Sequence, residues 1–251
     1  MARLPPIPLL LAEPVRAFAE LSTLSLAWPW LARAPRGDGH PVVLLPGLYA
    51  TDAYMLPMRN FLRSRGHEVH AWGAGRNWGR WEALERVVVP LVQRLHAQHG
   101  RKVSLVGASM GGLYARAAAH RVPECVRCVV TLSSAVQRER EGTYITPVYE
   151  AVTRESADTL AVGPAPVPCT SVFSRSDGLS DWRPVLLPAA PRQENVEVVA
   201  SHLGMAWHPA VLYLVADRLG QAERGWQPFR APAGAAWLYP QGHDRALEAA
   251  A

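Results

Sequence analysis

Between residues 103 and 113 the chain reads Val-Ser-Leu-Val-Gly-Ala-Ser-Met-Gly-Gly-Leu, and few folds accommodate such a string. It opens as an apolar strand and closes as the first turn of a helical pattern over 110–121, with only a glycine-bounded turn between them. A strand that passes so abruptly into a helix is the building unit of a parallel sheet with helical crossovers. The rest of the chain repeats the alternation. Short apolar runs at 42–45, 68–72, 102–106, 126–132, 170–173 and 196–199 read as strands, and 57–65, 82–99, 110–121 and 209–219 read as helices. The pattern predicts an α/β fold: one doubly wound, mostly parallel sheet of about six strands with helices on both faces.

Composition narrows the class further. A 251-residue chain that is 49% hydrophobic and 19% charged has ample material for one large core, which excludes intrinsic disorder. Three cysteines exclude a disulfide-stapled mini-protein. The net charge of +5 comes from arginines scattered among acidic residues rather than from a basic run interleaved with aromatics, so no nucleic-acid partner is expected. Cys125 and Cys128 have C-x-x-C spacing but lack a thioredoxin-like context, and inert thiols are the expectation there and at Cys169.

The first 36 residues are expected to form an N-terminal helical apolar segment packed on a body spanning 37–251. A helix over 14–26 would place Val15, Phe18, Ala19, Leu21 and Leu24 against that body. No cleavable leader is recognisable among prolines 5, 6 and 8, and the stretch 21–32 is too short, and too broken by Pro29, to span a bilayer. A cytoplasmic chain is therefore expected. Trp28 and Trp30 beside arginines keep peripheral membrane contact open as the alternative. A short cap is expected over 134–169, and the tail from 221, with Trp226, Phe229, Trp237 and Tyr239, is expected to pack on the body.

The turn at 107–111 is a G-x-S-x-G motif in the context its chemistry needs. The serine sits on a sharp strand-to-helix turn, its hydroxyl exposed and the helix N-terminus behind it favouring developing negative charge. Read plainly, the same string is a helix-capping serine in a tight turn. Over 41–220 the chain resembles the serine esterases and lipases of the α/β-hydrolase superfamily, with three motifs in the right order. That resemblance implies Ser109 as nucleophile, Asp177 after the 170–173 strand as the acid, and His202 after the 196–199 strand as the base. Asp181 and His208 are the competitors.

The resemblance further implies backbone oxyanion donors at Met110 and Leu48. Similar enzymes often carry His-Gly-x where this chain has Pro46-Gly47-Leu48, so the Tyr49 amide stays as an alternative. Tyr49, Trp182 and Met205 adjoin these loops and are expected to line the substrate pocket. The cluster Trp72, Arg76, Asn77, Trp78 and Trp81 borders either the entrance or a domain edge. No cofactor is implied. No metal is expected either, since there is no H-E-x-x-H spacing, and the remaining histidines read as surface or structural.

The implied activity is cleavage of carboxylic esters with short to medium acyl chains through an acyl-serine. Action of the same triad on amide, thioester or carbon–carbon bonds, or in acyl transfer, is the alternative. A non-catalytic binding protein on the same fold is the alternative of another class. A small-molecule or lipid ester is the expected partner, and the sequence leaves the oligomeric state unassigned.

Overall fold

The computed structural model describes residues 3–136, 142–145 and 165–240. Six strands, β1 (Pro41–Leu45), β2 (Glu68–Ala71), β3 (Val103–Ala108), β4 (Val126–Leu132), β5 (Cys169–Phe173) and β6 (Gln193–Glu197), form one sheet in the order β2-β1-β3-β4-β5-β6. Every neighbouring pair is parallel. The chain steps outward from β1 to β2 and then crosses to β3 on the other side of β1. Such a reversal of strand order opens a crevice at the carboxyl ends of the strands.

A parallel strand covered on both faces must be apolar throughout, and β1 is buried at all five positions. Its side chains alternate between layers: Val43 and Leu45 join a core with α4 (Val89–His99) and α5 (Met110–Arg121). Val42 and Leu44 join the opposite core with α2 (Leu24–Leu31), α3 (Leu56–Ser64) and α6 (Pro209–Gly220). Cys125, Cys128 and Cys169 are free thiols, and burial pushes the Cys169 thiol up to about 12, as befits an inert packing residue.

Three elements depart from the sequence reading. The helix expected over 82–99 is interrupted by a π turn at Leu84–Val88, directly before Pro90, whose missing N–H and ring clash disrupt the preceding turn. Strand β6 begins three residues early, on Gln193, Glu194 and Asn195. Glu194 and Asn195 are acceptable in a strand because distant partners satisfy them: Arg218 Nη1 lies 2.7 Å from the Glu194 carboxylate, and Asn195 bonds both the N–H and the C=O of Leu187.

The third correction concerns the N-terminus. The helix begins at Ile7, as α1 (Ile7–Ser22), and it presents the opposite face to the body. Val15 and Phe18 are each 72% exposed, whereas Glu13 is 1% exposed and Ala17 is buried beside it. The apolar spacing is genuine, but hydrogen-bonding demand from the loops beneath α1 selects the polar face. Among the described residues no helix is long and apolar enough to cross a membrane. Most of the expected cap, at 137–141 and 146–164, and the tail from 241 lie outside the described residues. The described tail packs through Phe229, and through Tyr239, whose hydroxyl donates to the Ala210 carbonyl at 2.8 Å.

Candidate active site

Ser109 sits between β3 and α5 with φ 49° and ψ −120°, a conformation that non-glycine residues rarely adopt and that needs surrounding structure to enforce it. The enforcement is visible. The Ser109 N–H donates to the Leu132 carbonyl on β4 at 2.8 Å, and its own carbonyl accepts from Gly112 at 2.9 Å. A Cβ on Gly107 would fall on the Gly111 backbone, and one on Gly111 would fall on the Leu45 carbonyl, so strand and helix approach closely only because both are glycine. The Ser109 side chain makes no capping hydrogen bond, which removes the helix-cap explanation for its presence.

Asp177 follows β5 and His202 follows β6. Because all six strands run the same way, the turns after β3, β5 and β6 open on one edge of the sheet. There Asp177 Oδ2 lies 2.7 Å from His202 Nδ1, with side-chain exposures of 3% and 7%. The other Asp177 oxygen accepts from the Leu179 and Ser180 N–H groups, each at 2.8 Å. Burial alone would push the His202 imidazole down. The Asp177 charge, its hydrogen bond and the nearby Glu13 carboxylate outweigh burial and hold it above its ordinary value. Burial likewise pushes the Asp177 carboxyl up, but His202 and the two amides bring it below its ordinary value.

The competitors are occupied elsewhere. Asp181 pairs with Arg183 at 3.0 Å and accepts from the Arg3 N–H at 2.8 Å. His208 caps α6 by accepting from the Ala210 N–H at 3.2 Å, and burial lowers its imidazole to about 4. Of the two amides in question after β1, that of Tyr49 donates to the Asn77 carbonyl at 2.7 Å. The Leu48 and Met110 N–H groups have no acceptor among the described residues.

No family model matches the sequence. Over 121 residues the chain is 30% identical to 2,6-dihydropseudooxynicotine hydrolase of Paenarthrobacter nicotinovorans, a match covering 44% of this chain and 33% of that protein. The chain thus spans about a third of the length of that curated relative. In structure it resembles Aspergillus fumigatus lipase B, with TM-score 0.57 and 19% identity over 73% of this chain and 53% of the lipase. It also resembles MGS-MChE2, an α/β-hydrolase from lagoon-sediment metagenome of Mar Chica, Morocco, with TM-score 0.52 and 19% identity over 72% of this chain and 90% of that one. The chain has the α/β-hydrolase fold.

On this fold the loops bearing Asp177 and His202 are clamped by α1, a contribution that sequence reasoning missed. One Glu13 oxygen accepts from the Gly178 N–H at 2.8 Å and the His202 N–H at 3.0 Å, and the other accepts from Leu203 at 2.9 Å. Glu20 accepts from the Ser201 N–H at 2.7 Å, Arg16 donates to the Ser176 hydroxyl at 2.8 Å, and the Trp207 indole donates to the Ala17 carbonyl at 2.9 Å. Gly178 and Gly204 make room for α1, since a Cβ on either would strike it. The available signal was Glu13 itself, an acid inside an apolar run.

Asn77, named above only as part of an entrance or edge cluster, has a more definite place. It is fully buried, its amide donates to the Pro46 carbonyl at 2.8 Å, and its backbone N–H donates to Ala50 at 2.9 Å, so it pins the loop that presents Leu48. Tyr49 is half-buried, with φ 59° and its ring 5.8 Å from that of Trp78. The Arg175 and Arg183 guanidiniums lie 4.6 and 4.8 Å from the Trp182 ring, which stacks on Phe173, while Met205 is 1% exposed in the core beside α6.

Proposed function

We propose that this protein is a serine hydrolase that cleaves carboxylic esters of short to medium acyl chain. The observation that carries the reading is the buried Asp177–His202 pair, held at the same edge of the sheet as a serine in a strained strand-to-helix turn. His202 removes the Ser109 hydroxyl proton as the oxygen attacks the ester carbonyl, and Asp177 orients the imidazole and stabilises its charged form. The Leu48 and Met110 N–H groups receive the oxyanion. Collapse expels the alcohol, which takes the proton from His202 and leaves an acyl-serine. Water then gives a proton to His202, attacks the acyl carbon and releases the acid, returning the proton to Ser109. The reaction as proposed draws on no cofactor.

The test is hydrolysis of p-nitrophenyl esters over a series of acyl lengths, together with labelling by a fluorophosphonate. Labelling of Ser109 without ester turnover would move the same residues to amide, thioester or carbon–carbon bonds or to acyl transfer. A folded protein that neither turns over esters nor takes the label would be a binding protein on a hydrolase fold.

The outward face of α1 supports a second element of this reading, that the enzyme works against an anionic lipid surface. Ile7, Leu11, Val15 and Phe18 form an exposed apolar stripe, continued by Leu26 and Trp28 on α2. The two acidic side chains between residues 3 and 36, Glu13 and Glu20, are turned inward onto loops, whereas Arg3, Arg33 and Arg36 are exposed. An apolar stripe with only positive charge beside it matches a helix lying in an anionic headgroup layer. Co-sedimentation with phosphatidylglycerol-containing vesicles, lost in Leu11→Ser/Phe18→Ser, is expected. Failure to bind vesicles, or elution as a dimer that the same substitutions dissociate, would refute it.

A further inference from the structure

We propose that Glu68, His70 and His99 form a site for a divalent zinc-type cation at the end of the sheet opposite Ser109. Glu68 and His70 stand two residues apart on edge strand β2, a spacing that puts both side chains on one face, and His99 is the last residue of α4. One carboxylate oxygen of Glu68 lies 3.3 Å from His70 Nε2 and 3.3 Å from His99 Nε2. All three donor atoms lie within 4.8 Å of one another.

The spacing is informative. Donors bonded to a tetrahedral zinc ion at about 2.0–2.1 Å stand about 3.3–3.4 Å apart along the edges of the tetrahedron. Both Nε2 atoms are shielded from solvent, yet neither makes a hydrogen bond of acceptable geometry, even to the carboxylate they both approach. Two sealed imidazole nitrogens aimed at one carboxylate oxygen are unsatisfied as they stand, and a cation at their centre satisfies all three donors together. Two imidazoles and one carboxylate suit zinc rather than magnesium, which demands oxygen donors and retains its water. The exposed Glu68 side chain leaves an outer coordination position on the solvent side of the cluster. Such an ion would fasten the start of the edge strand to the end of α4.

The experiment is a zinc titration of the untagged chain after EDTA treatment and desalting. Zinc is placed in competition with a chromophoric chelator, and bound metal is counted by mass spectrometry. One zinc per chain is expected, with a rise of several degrees in Tm that magnesium does not produce. His70→Gln and His99→Gln should each weaken zinc at least tenfold and abolish the rise in Tm, while Ser109→Ala binds as wild type. His99 ends a helix, so its substitution carries the test if His70→Gln on the sheet does not fold. Substoichiometric zinc, or equal binding by the His99→Gln variant, would overturn the proposal and leave the cluster as a histidine–carboxylate ion pair.

Discussion

Among the described residues two serine–histidine–aspartate constellations stand out, and the proposed reaction draws on one of them. In the first, Asp177 meets His202 Nδ1 at 2.7 Å on the edge where Ser109 turns into α5. In the second, Asp38 lies 2.6 Å from His40 Nδ1, and His40 Nε2 lies 2.7 Å from the hydroxyl of Ser104, near the start of the same strand β3. Both imidazoles are buried, but the Asp177 side chain is 3% exposed where that of Asp38 is 47% exposed, and the imidazoles are displaced in opposite directions. Burial lowers His40, and the nearby Arg127 and Arg101 reinforce it against Asp38, bringing it to about 4. Those arginines bond Asp38, at 2.9 and 2.5 Å, and so compensate its charge. Among the described residues Asp177 accepts only neutral backbone N–H groups besides the imidazole, so its charge acts on His202. The aspartate that raises its histidine is the buried one answered by amides; at His40, burial and the arginines outweigh a half-exposed, cation-paired Asp38.

The most severe way to break this comparison is to remove each serine. Ser109→Ala should lower kcat/KM for a p-nitrophenyl ester by roughly 10⁴- to 10⁶-fold with unfolding in urea unchanged, as should His202→Ala in activity. Ser104→Ala should do the reverse: turnover within about twofold of wild type, and a stability loss of about 1 kcal/mol from the hydrogen bond to His40. Loss of turnover in Ser104→Ala with folding intact would undo the distinction. Next in size, Asp177→Asn should cost about 10³- to 10⁴-fold because the amide no longer fixes the imidazole or stabilises its charge. Asp181→Asn should leave kcat within a few-fold.

The two constellations also differ in how far sequence reveals them. The nucleophile turn is local: strand, two glycines, serine and helix lie within eleven residues, and steric necessity writes itself into adjacent positions. The positions of the strands were equally legible, since parallel strands buried on both faces are continuous apolar runs, whereas their order in the sheet was not. The Asp38–His40–Ser104 contact was not, because it joins a loop to a strand 64 residues away. The clamp on His202 was hidden for a similar reason. Glu13 lies 189 residues from the amide it receives, and the apolar periodicity of its helix pointed to the wrong face. Periodicity reports that a helix has two faces, whereas the face taken inward depends on the unsatisfied groups it meets.

That clamp supplies a test of intermediate size. Glu13→Gln keeps the shape but replaces one acceptor oxygen by an N–H₂ group facing backbone donors. Stability should fall by about 1.5–3 kcal/mol, the scale of hydrogen bonds to a charged group. Activity should fall roughly tenfold to a hundredfold, since displacement of a reacting group by about an ångström has that effect. The distinguishing readout is the pH profile. The rising limb of kcat/KM reports deprotonation of His202, so its midpoint should lie above the ordinary histidine value in wild type and move downward when the Glu13 charge is lost. A purely structural Glu13 would leave that midpoint in place.

The smallest effect separates the histidines through stability rather than turnover. His40, and His67 whose ring centroid lies 5.4 Å from it, are each lowered to about 4, burial being the larger cause. As pH falls from about 6.5 towards 4, the unfolded chain takes up protons that these folded imidazoles refuse, so they contribute stability above that window and lose it within it. His202 has the opposite sign: raised in the folded state, it contributes stability below about 6.5 and loses it as pH rises through its folded value. Urea unfolding between pH 8 and 4 should therefore show an acid decline that His40→Gln flattens and His202→Gln steepens. If His40→Gln steepened the decline as well, Asp38 would be acting on His40 as Asp177 acts on His202. The arginines and the exposure of Asp38 would then not be what divides the constellation proposed for catalysis from its counterpart.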